Sequence, residues 1–271
     1  MKRNRNGKEV RVAGWINSIR KLGGLTFVTL RDEKGIVQII TEDADMFKGI
    51  TRESTVTITG RVRLRTEDMI NPNMKTGKIE ILASSVEVLG ECASILPFEI
   101  NRSREEASEE TRLKYRYLDL RNPKVHDNMV FRFKVIDYIR SLMKSMDFTE
   151  ISTPIITTSS PEGARDFIIP SRKYKGKFYA LPQAPQIYKQ LLMVSGFNKY
   201  FQIAPCFRDE DCRADRTLEF YQLDFEMSFV TEEDVYKVGE KIFYDVFSNF
   251  TDKYVSPAPF RRIPYSEAML K

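Results

Sequence analysis

The stretch Phe207–Phe229 reads FRDEDCRADRTLEFYQLDFEMSF, and its reading decides the fold. It opens with Arg208 beside an acidic run, Asp209-Glu210-Asp211, and turns through Arg213-Ala214-Asp215-Arg216. It returns as an alternating segment from Phe220 to Glu226, and the apolar run Tyr200-Phe201-Gln202-Ile203-Ala204 leads into it. Two antiparallel strands joined by a long charged loop are predicted. Arg208, Glu210, Asp224 and Glu226 put charges within the strands as well as in the loop. Burying such groups is costly unless they are paired. Two readings stay open: a surface hairpin laced by ion pairs, or a site that applies these charges to a charged ligand.

Working outward, 271 residues suffice for two domains with cores of their own. No apolar run approaches the roughly 18 residues of a membrane span, and no apolar signal region follows the basic Met1–Asn6. A soluble cytoplasmic protein is the expectation. The three cysteines, Cys92, Cys206 and Cys212, are widely spaced and form no CxxC pair, so neither a disulfide framework nor a zinc site is expected. The single histidine, His126, has no Ser, Cys or metal-ligand neighbour in sequence, which argues against histidine-based catalysis. Residues 1–31 hold eight bases and one acid. That asymmetry fits either a solvated surface or a polyanion partner.

Residues 8–90 read as all-β. Val10–Ile16, Leu25–Leu30, Ile36–Ile40, Thr55–Val62 and Lys78–Leu82 are five short strands, with a helix predicted within residues 42–53. That order predicts an OB-type barrel. Such barrels pair basic residues with aromatic platforms to hold single-stranded nucleic acid. Phe27 lies beside the Arg20-Lys21 turn and reads as core or as a stacking surface. Gln38 could read a base edge, and Glu80 could accept from an exocyclic amine.

A charged connector follows, broken at Asn122-Pro123. From Asp127 an amphipathic helix is predicted, with Phe131, Val135, Ile139, Leu142 and Met146 on one face and Phe133, Ile136 and Met143 off it. Thr149–Ile156 reads as an edge strand interrupted by Pro154. Residues 157–166 form a loop suited to covering a ligand. A hairpin around Tyr174-Lys175-Gly176 and a helix from Gln186 come next. Gln186 and Lys189 share one face of that helix, where Lys189 is either a surface lysine or an anion contact. Thr231 caps a helix to about Phe250, Pro257–Tyr265 reads as a strand, and Ser266 opens a helix that the chain leaves unfinished. Truncation is the expectation.

These strings are long and specific. Lys114-Tyr115-Arg116-Tyr117-Leu118-Asp119-Leu120-Arg121, Ser160–Phe167, Leu181–Gln186 and Phe207–Glu226 together resemble the bacterial-type aspartyl-tRNA synthetases of class IIb, in their N-terminal part. The resemblance covers nearly the whole chain. It implies an α+β protein: an OB-fold anticodon-binding barrel over 1–100, a linker over 101–126, and over 127–271 the first part of a class II antiparallel sheet with flanking helices. The 131–156 helix and strand resemble motif 1, the dimer element, and Phe207–Glu226 resembles motif 2. Motif 3 is absent.

Family roles carry over residue by residue as expectations. Arg208 resembles the catalytic clamp on the ATP α-phosphate and the substrate carboxylate. Asp209, Glu210, Thr217 and Phe220 are implied for ATP, with adenine on Phe220. Glu162, Gln186, Lys189 and Asp224 are implied for L-aspartate, Lys189 pairing with its side-chain carboxylate. Arg20, Phe27, Gln38 and Glu80 are implied for the anticodon of tRNA-Asp, and Leu22 resembles the form specific for that tRNA. ATP is the cosubstrate. Mg²⁺ is expected for a full-length enzyme, with its ligands outside this chain, and the chain by itself is expected to form no adenylate. Thr217-Leu218 departs from the family's Gln-Pro. Lysyl- or asparaginyl-type synthetases, or a non-catalytic RNA-binding remnant, are the alternatives.

Overall fold

The computed structural model describes residues 6–100, 106–160, 163–213 and 215–270, in two compact units that divide between Asp119 and Leu120. In the first unit, β1 (Glu9–Leu22), β2 (Leu25–Asp32), β3 (Gly35–Thr41), β4 (Thr55–Leu64) and β5 (Ile79–Gly90) close a barrel in the order β1-β2-β3-β5-β4. The β3–β5 pair is parallel and every other pair antiparallel. Closure follows from alternation, since Ile16, Val28, Leu30, Ile39, Val56, Ile58 and Ile81 all turn inward and form the core. Gly14 sits where β1 passes β2 so closely that a Cβ would meet the Arg31 carbonyl oxygen at 2.3 Å.

The five predicted strands are present, but β1 and β5 run well past their predicted ends. The helix predicted within 42–53 does not form; residue 42 is a bend and residues 44–49 are turns. Asp43 Oδ1 accepts from Asp45 N–H at 2.9 Å, and Gly49 takes φ +78. Local side-chain bonding of this kind competes with helix. Glu53, at φ 64, then turns its carboxylate inward onto Arg31, with Oε2 at 2.6 Å from Nη2.

The first unit ends with short helices α1 (Glu109–Lys114) and α2 (Arg116–Asp119). In the second unit, α3 (Pro123–Ser145) begins four residues before the predicted start. Asn122-Pro123 is its N-terminus and not a break: the Asn122 side chain accepts from Lys124 N–H, and Pro123 occupies the first turn, where a missing N–H costs nothing. Then come β6 (Thr149–Glu150), β7 (Ile168–Pro170), β8 (Phe178–Ala180), α4 (Gln186–Val194), β9 (Lys199–Phe207), β10 (Glu219–Met227), α5 (Glu232–Phe250) and α6 (Tyr265–Ala268).

The site sheet has the order β10-β9-β6. β9 and β10 pair antiparallel over nine residues, and β6 adds only two residues, in parallel. The longer strand predicted at 149–156 fails after Glu150. Beyond it Ile151 N–H still bonds the Phe201 carbonyl at 3.1 Å, and Thr153 is held by side-chain bonds, Gln202 Nε2 to Thr153 Oγ1 and Thr153 N–H to Gln202 Oε1. The strand predicted at 257–265 is irregular: Pro257, Pro259 and Pro264 supply no N–H for a ladder. One face of β9–β10 carries Phe201, Leu223, Phe225 and Met227 onto α3 and α5, where Leu142, Met143 and Ile242 meet them. Met143 lies off the predicted face of α3 yet is fully buried in this core.

Candidate functional site

The other face of β9–β10 is the candidate active site. Strand alternation puts Tyr200, Gln202, Ala204 and Cys206 of β9 on it, and their cross-strand partners Glu226, Asp224, Gln222 and Phe220 on β10. Arg208 continues the same parity just beyond β9, where its N–H bonds the Leu218 carbonyl at 2.9 Å. This face is polar and charged although the sheet is largely buried.

Two clusters form along it. At one end Arg208, Glu210, Asp211, Asp215, Arg216, Thr217 and Phe220 line a cavity of about 340 Å³. The Arg208 guanidinium stands 5.0 Å over the Phe220 ring, and its Nε is buried without a hydrogen bond. Asp209 is not in the lining; its N–H bonds the Arg165 carbonyl at 2.9 Å, tying the motif-2 loop to the loop before β7. Thr217 Oγ1 donates to the Glu219 carbonyl at 2.6 Å.

At the other end Lys189 reaches from the first turn of α4 onto the sheet. Its Nζ donates to Asp224 Oδ1 at 2.9 Å and lies 3.3 Å from Glu226 Oε2. Burial pulls the ammonium's pKa down, and the two carboxylates more than reverse it, so it sits above its ordinary value. Asp224 Oδ2 and the Tyr200 hydroxyl are each buried without a hydrogen bond. Burial, then the Asp224 charge, raise the tyrosine's pKa, and burial pushes the Cys206 thiol up to about 11. Gln186 begins α4, half-buried, one turn before Lys189.

Glu162 lies outside the described residues. Asp166 accepts from Ser159 Oγ at 2.5 Å, from Ser160 N–H at 3.2 Å and from the buried Gln183 amide. Burial would raise the Asp166 pKa, and these bonds outweigh it and lower it.

The predicted set thus lies on two elements and one loop: Gln186 and Lys189 on α4, Asp224 and Phe220 on β10, Arg208, Asp209, Glu210 and Thr217 in the loop. Sequence reasoning noted Glu226 as a charge within the strand without giving it a role, and read Tyr200 only as part of an apolar run. The available signal was parity: once Arg208 and Asp224 are placed on one face, even-numbered residues from 200 to 208 and from 220 to 226 must share it.

In the barrel, Arg20, Phe27 and Gln38 line a pocket of about 830 Å³ with Asn17, Ser18, Lys21, Leu22, Thr29, Ile36, Asn71 and Met74. Register explains it: Arg20 faces Phe27, and Thr29 faces Gln38. Glu80 is not in the lining. It is buried, accepting from Gln38 Nε2 at 2.9 Å and from Arg63 Nε at 2.7 Å, with Arg65 Nε at 3.6 Å. Its carboxylate therefore orients Gln38 and is already engaged.

Comparison with known proteins agrees with this fold. Residues 108–271 match the family model described as tRNA synthetases class II (D, K and N), and residues 10–89 match that of the OB-fold nucleic acid binding domain. The chain is 55% identical over 271 residues to the aspartate–tRNA(Asp/Asn) ligase of Rickettsia canadensis, and 56% identical over 272 residues to that of Rickettsia akari. Each alignment covers 98% of this chain and 45% of the relative, so the chain spans about half the length of these proteins. Among solved structures, asparaginyl-tRNA synthetase from Pyrococcus horikoshii with asparaginyl-adenylate superposes with a TM-score of 0.81 at 28% identity, over 98% of this chain and 63% of that one. The chain belongs to the class II tRNA synthetases of the D, K and N group, and it corresponds to the N-terminal part of the aspartate–tRNA ligases.

Proposed function

We propose that this chain carries the amino-acid site and one side of the nucleotide site of an aspartate–tRNA ligase of the cytoplasm. Such an enzyme joins L-aspartate to the 3′ end of tRNA through aspartyl-adenylate, at the expense of ATP. The observation that carries the reading is the Lys189–Asp224 pair, set on the same sheet face as Arg208 and Phe220. Aspartate brings one ammonium and two carboxylates. Its side-chain carboxylate takes Lys189, its ammonium takes Asp224 through the unbonded Oδ2 with Gln186 alongside, and its α-carboxylate lies toward Arg208. A lysine substrate would meet Lys189 with like charge.

In the first step an α-carboxylate oxygen attacks the α-phosphorus of ATP. The new O–P bond forms as the bond to pyrophosphate breaks. Arg208 is the catalytic residue: its permanently charged fork neutralises charge building on the phosphoryl oxygens. Adenine stacks on Phe220, on the ring face opposite Arg208, while Glu210 and Thr217 line the same cavity and Asp209 holds the loop. In the second step a ribose hydroxyl of the tRNA terminus attacks the aspartyl carbonyl and AMP leaves. Positioning and charge neutralisation carry both steps. Among the described residues no group of three or more His, Cys, Asp or Glu is placed to hold a metal ion. The barrel pocket, with Arg20, Phe27, and Gln38 aligned by Glu80, takes the anticodon, and α3 contributes to a homodimer. Leu22, exposed at the pocket rim, marks where tRNA-Asp and tRNA-Asn would be told apart; the Rickettsia relatives are named for both.

Lys189→Met tests the assignment. In the full-length enzyme, loss of a charge-assisted contact raises the aspartate KM in pyrophosphate exchange by roughly 10- to 100-fold, with the ATP KM little changed. An unchanged aspartate KM in a folded variant rejects the reading.

A further inference from the structure

The β7–β8 hairpin belongs to no part of the machinery above. Its tip, Ser171–Tyr179, carries Arg172, Lys173, Lys175 and Lys177 and no acid. That is four positive charges in nine residues of a chain whose net charge is +5. Residues 172–179 are all exposed, and none of the four cations makes an ion pair among the described residues. Tyr174 is 48% exposed, Phe178 56% and Tyr179 40%. A hairpin needing only solubility is served by charges of mixed sign, and exposed rings work against it.

The tip is also ordered. Ser171 N–H bonds the Lys177 carbonyl at 3.0 Å, Lys177 N–H the Tyr174 carbonyl at 3.1 Å, and Tyr174 N–H the Ser171 hydroxyl at 3.1 Å, with Gly176 at φ +76. These bonds present the Tyr174 ring outward. The ammonium groups of Lys173 and Lys177 stand 5.4 and 5.7 Å from its centroid. Both lie near the outer limit of a cation–π contact, about 6 Å, so neither seals the ring. The base of the hairpin is rooted in the site: Leu181 N–H bonds the Phe167 carbonyl, and Phe207 N–H bonds the Pro182 carbonyl, both at 2.9 Å.

We propose that this tip is an RNA-binding surface of the catalytic unit, additional to the barrel pocket, which takes an unpaired RNA segment. Tyr174 stacks on a base while Lys173, Lys175 and Lys177 contact the flanking phosphates. Alternating cations and aromatics on a rigid support are what sequence-tolerant binding of single strands requires. The inference rests on the chain being part of a tRNA ligase, which supplies the RNA.

The test titrates the 271-residue chain with labelled tRNA across a salt series. Replacing Lys173, Lys175 and Lys177 together by Gln lowers the slope of log affinity against log salt by about two, at roughly 0.7 per single-strand phosphate contact. Tyr174→Ala weakens binding about tenfold at fixed salt without changing the slope, and Tyr174→Phe restores it. Thermal melts of each variant, unchanged because the tip is exposed, confirm folding. Binding that is lost on Arg20→Ala with Phe27→Ala but untouched by the hairpin changes confines RNA to the barrel; the inference then falls and the proposed function stands. A wild-type chain that binds no RNA overturns both.

Discussion

At the scale of single residues, the site is a matter of which charges are already engaged. Lys189 is held between Asp224 and Glu226, and the half-buried Glu226 has no other described partner. Glu226→Gln removes one carboxylate that raises the lysine's pKa. The raised pKa keeps Lys189 charged through its ordinary value, and the charge is lost only as pH rises through the higher folded value. The variant's aspartate binding therefore fails at a lower pH than the wild type's. At neutral pH Lys189 is charged in both proteins, so the aspartate KM there changes little. A pH profile of KM with an unshifted alkaline limb would show that Glu226 is only structural. Arg208, Asp224 and Glu226 stood out in the sequence because charges in strands are unusual, whereas Lys189 and Phe220 took their expected roles from the family resemblance. The parts played by Tyr200 and Glu226 were not legible. Tyr200 opens a run that reads as apolar, and Glu226 gains meaning only when cross-strand register sets it beside Lys189. Glu80 shows the converse: an acid that reads as free in sequence is consumed by Gln38, Arg63 and Arg65.

At the scale of elements, the Thr231-capped helix α5 was read well, whereas the Asn122 cap of α3 was taken for a break and irregular segments were misread. The Thr231 side chain and Asp234 form a reciprocal capping box at the start of α5. The Thr231 backbone and hydroxyl, then Lys237, hold the Asp234 carboxyl down at about 2. A lowered carboxylate pKa contributes stability that is present above the unfolded value, near 4, and is lost as pH falls through the folded one. Asp234→Ala is accordingly less stable than wild type at pH 7 in urea unfolding, and the two midpoints converge between about pH 4 and pH 2. A constant difference across that window would place the effect elsewhere. The failed strands at 149–156 and 257–265 share a cause. Both have β-prone composition interrupted by proline, and whether such a run finds a ladder partner is decided by distant chain. In the barrel the unforeseen device is the Arg31–Glu53 pair, with side chains 9% and 1% exposed, which fastens the 42–53 segment to β2. Glu53→Gln leaves the guanidinium without its counter-charge and should cost about 3–5 kcal/mol by chemical denaturation.

At the scale of the molecule, the two units solve the burial problem differently. Every strand of the first lies within residues 9–90 and closes on itself, so no ladder edge is left open, and Phe47 from the segment between β3 and β4 completes its core. The second has a three-stranded sheet covered on one face by α3 and α5, and it leaves Phe131, Phe133, Phe243 and Phe247 half or more exposed. Isolated residues 1–119 are thus expected to fold as a monomer that keeps the barrel's RNA affinity. The 271-residue chain is expected to self-associate through the apolar surface of α3. Phe133, 65% exposed and outside the core cluster, is the residue to change, because Phe133→Asp places a charge on that surface without opening a cavity. In sedimentation velocity the variant becomes monomeric while its melting temperature and its tRNA affinity through the barrel pocket stay as in the wild type. A variant that remains dimeric would move the interface off α3, and a wild-type chain that is monomeric at every concentration would remove it.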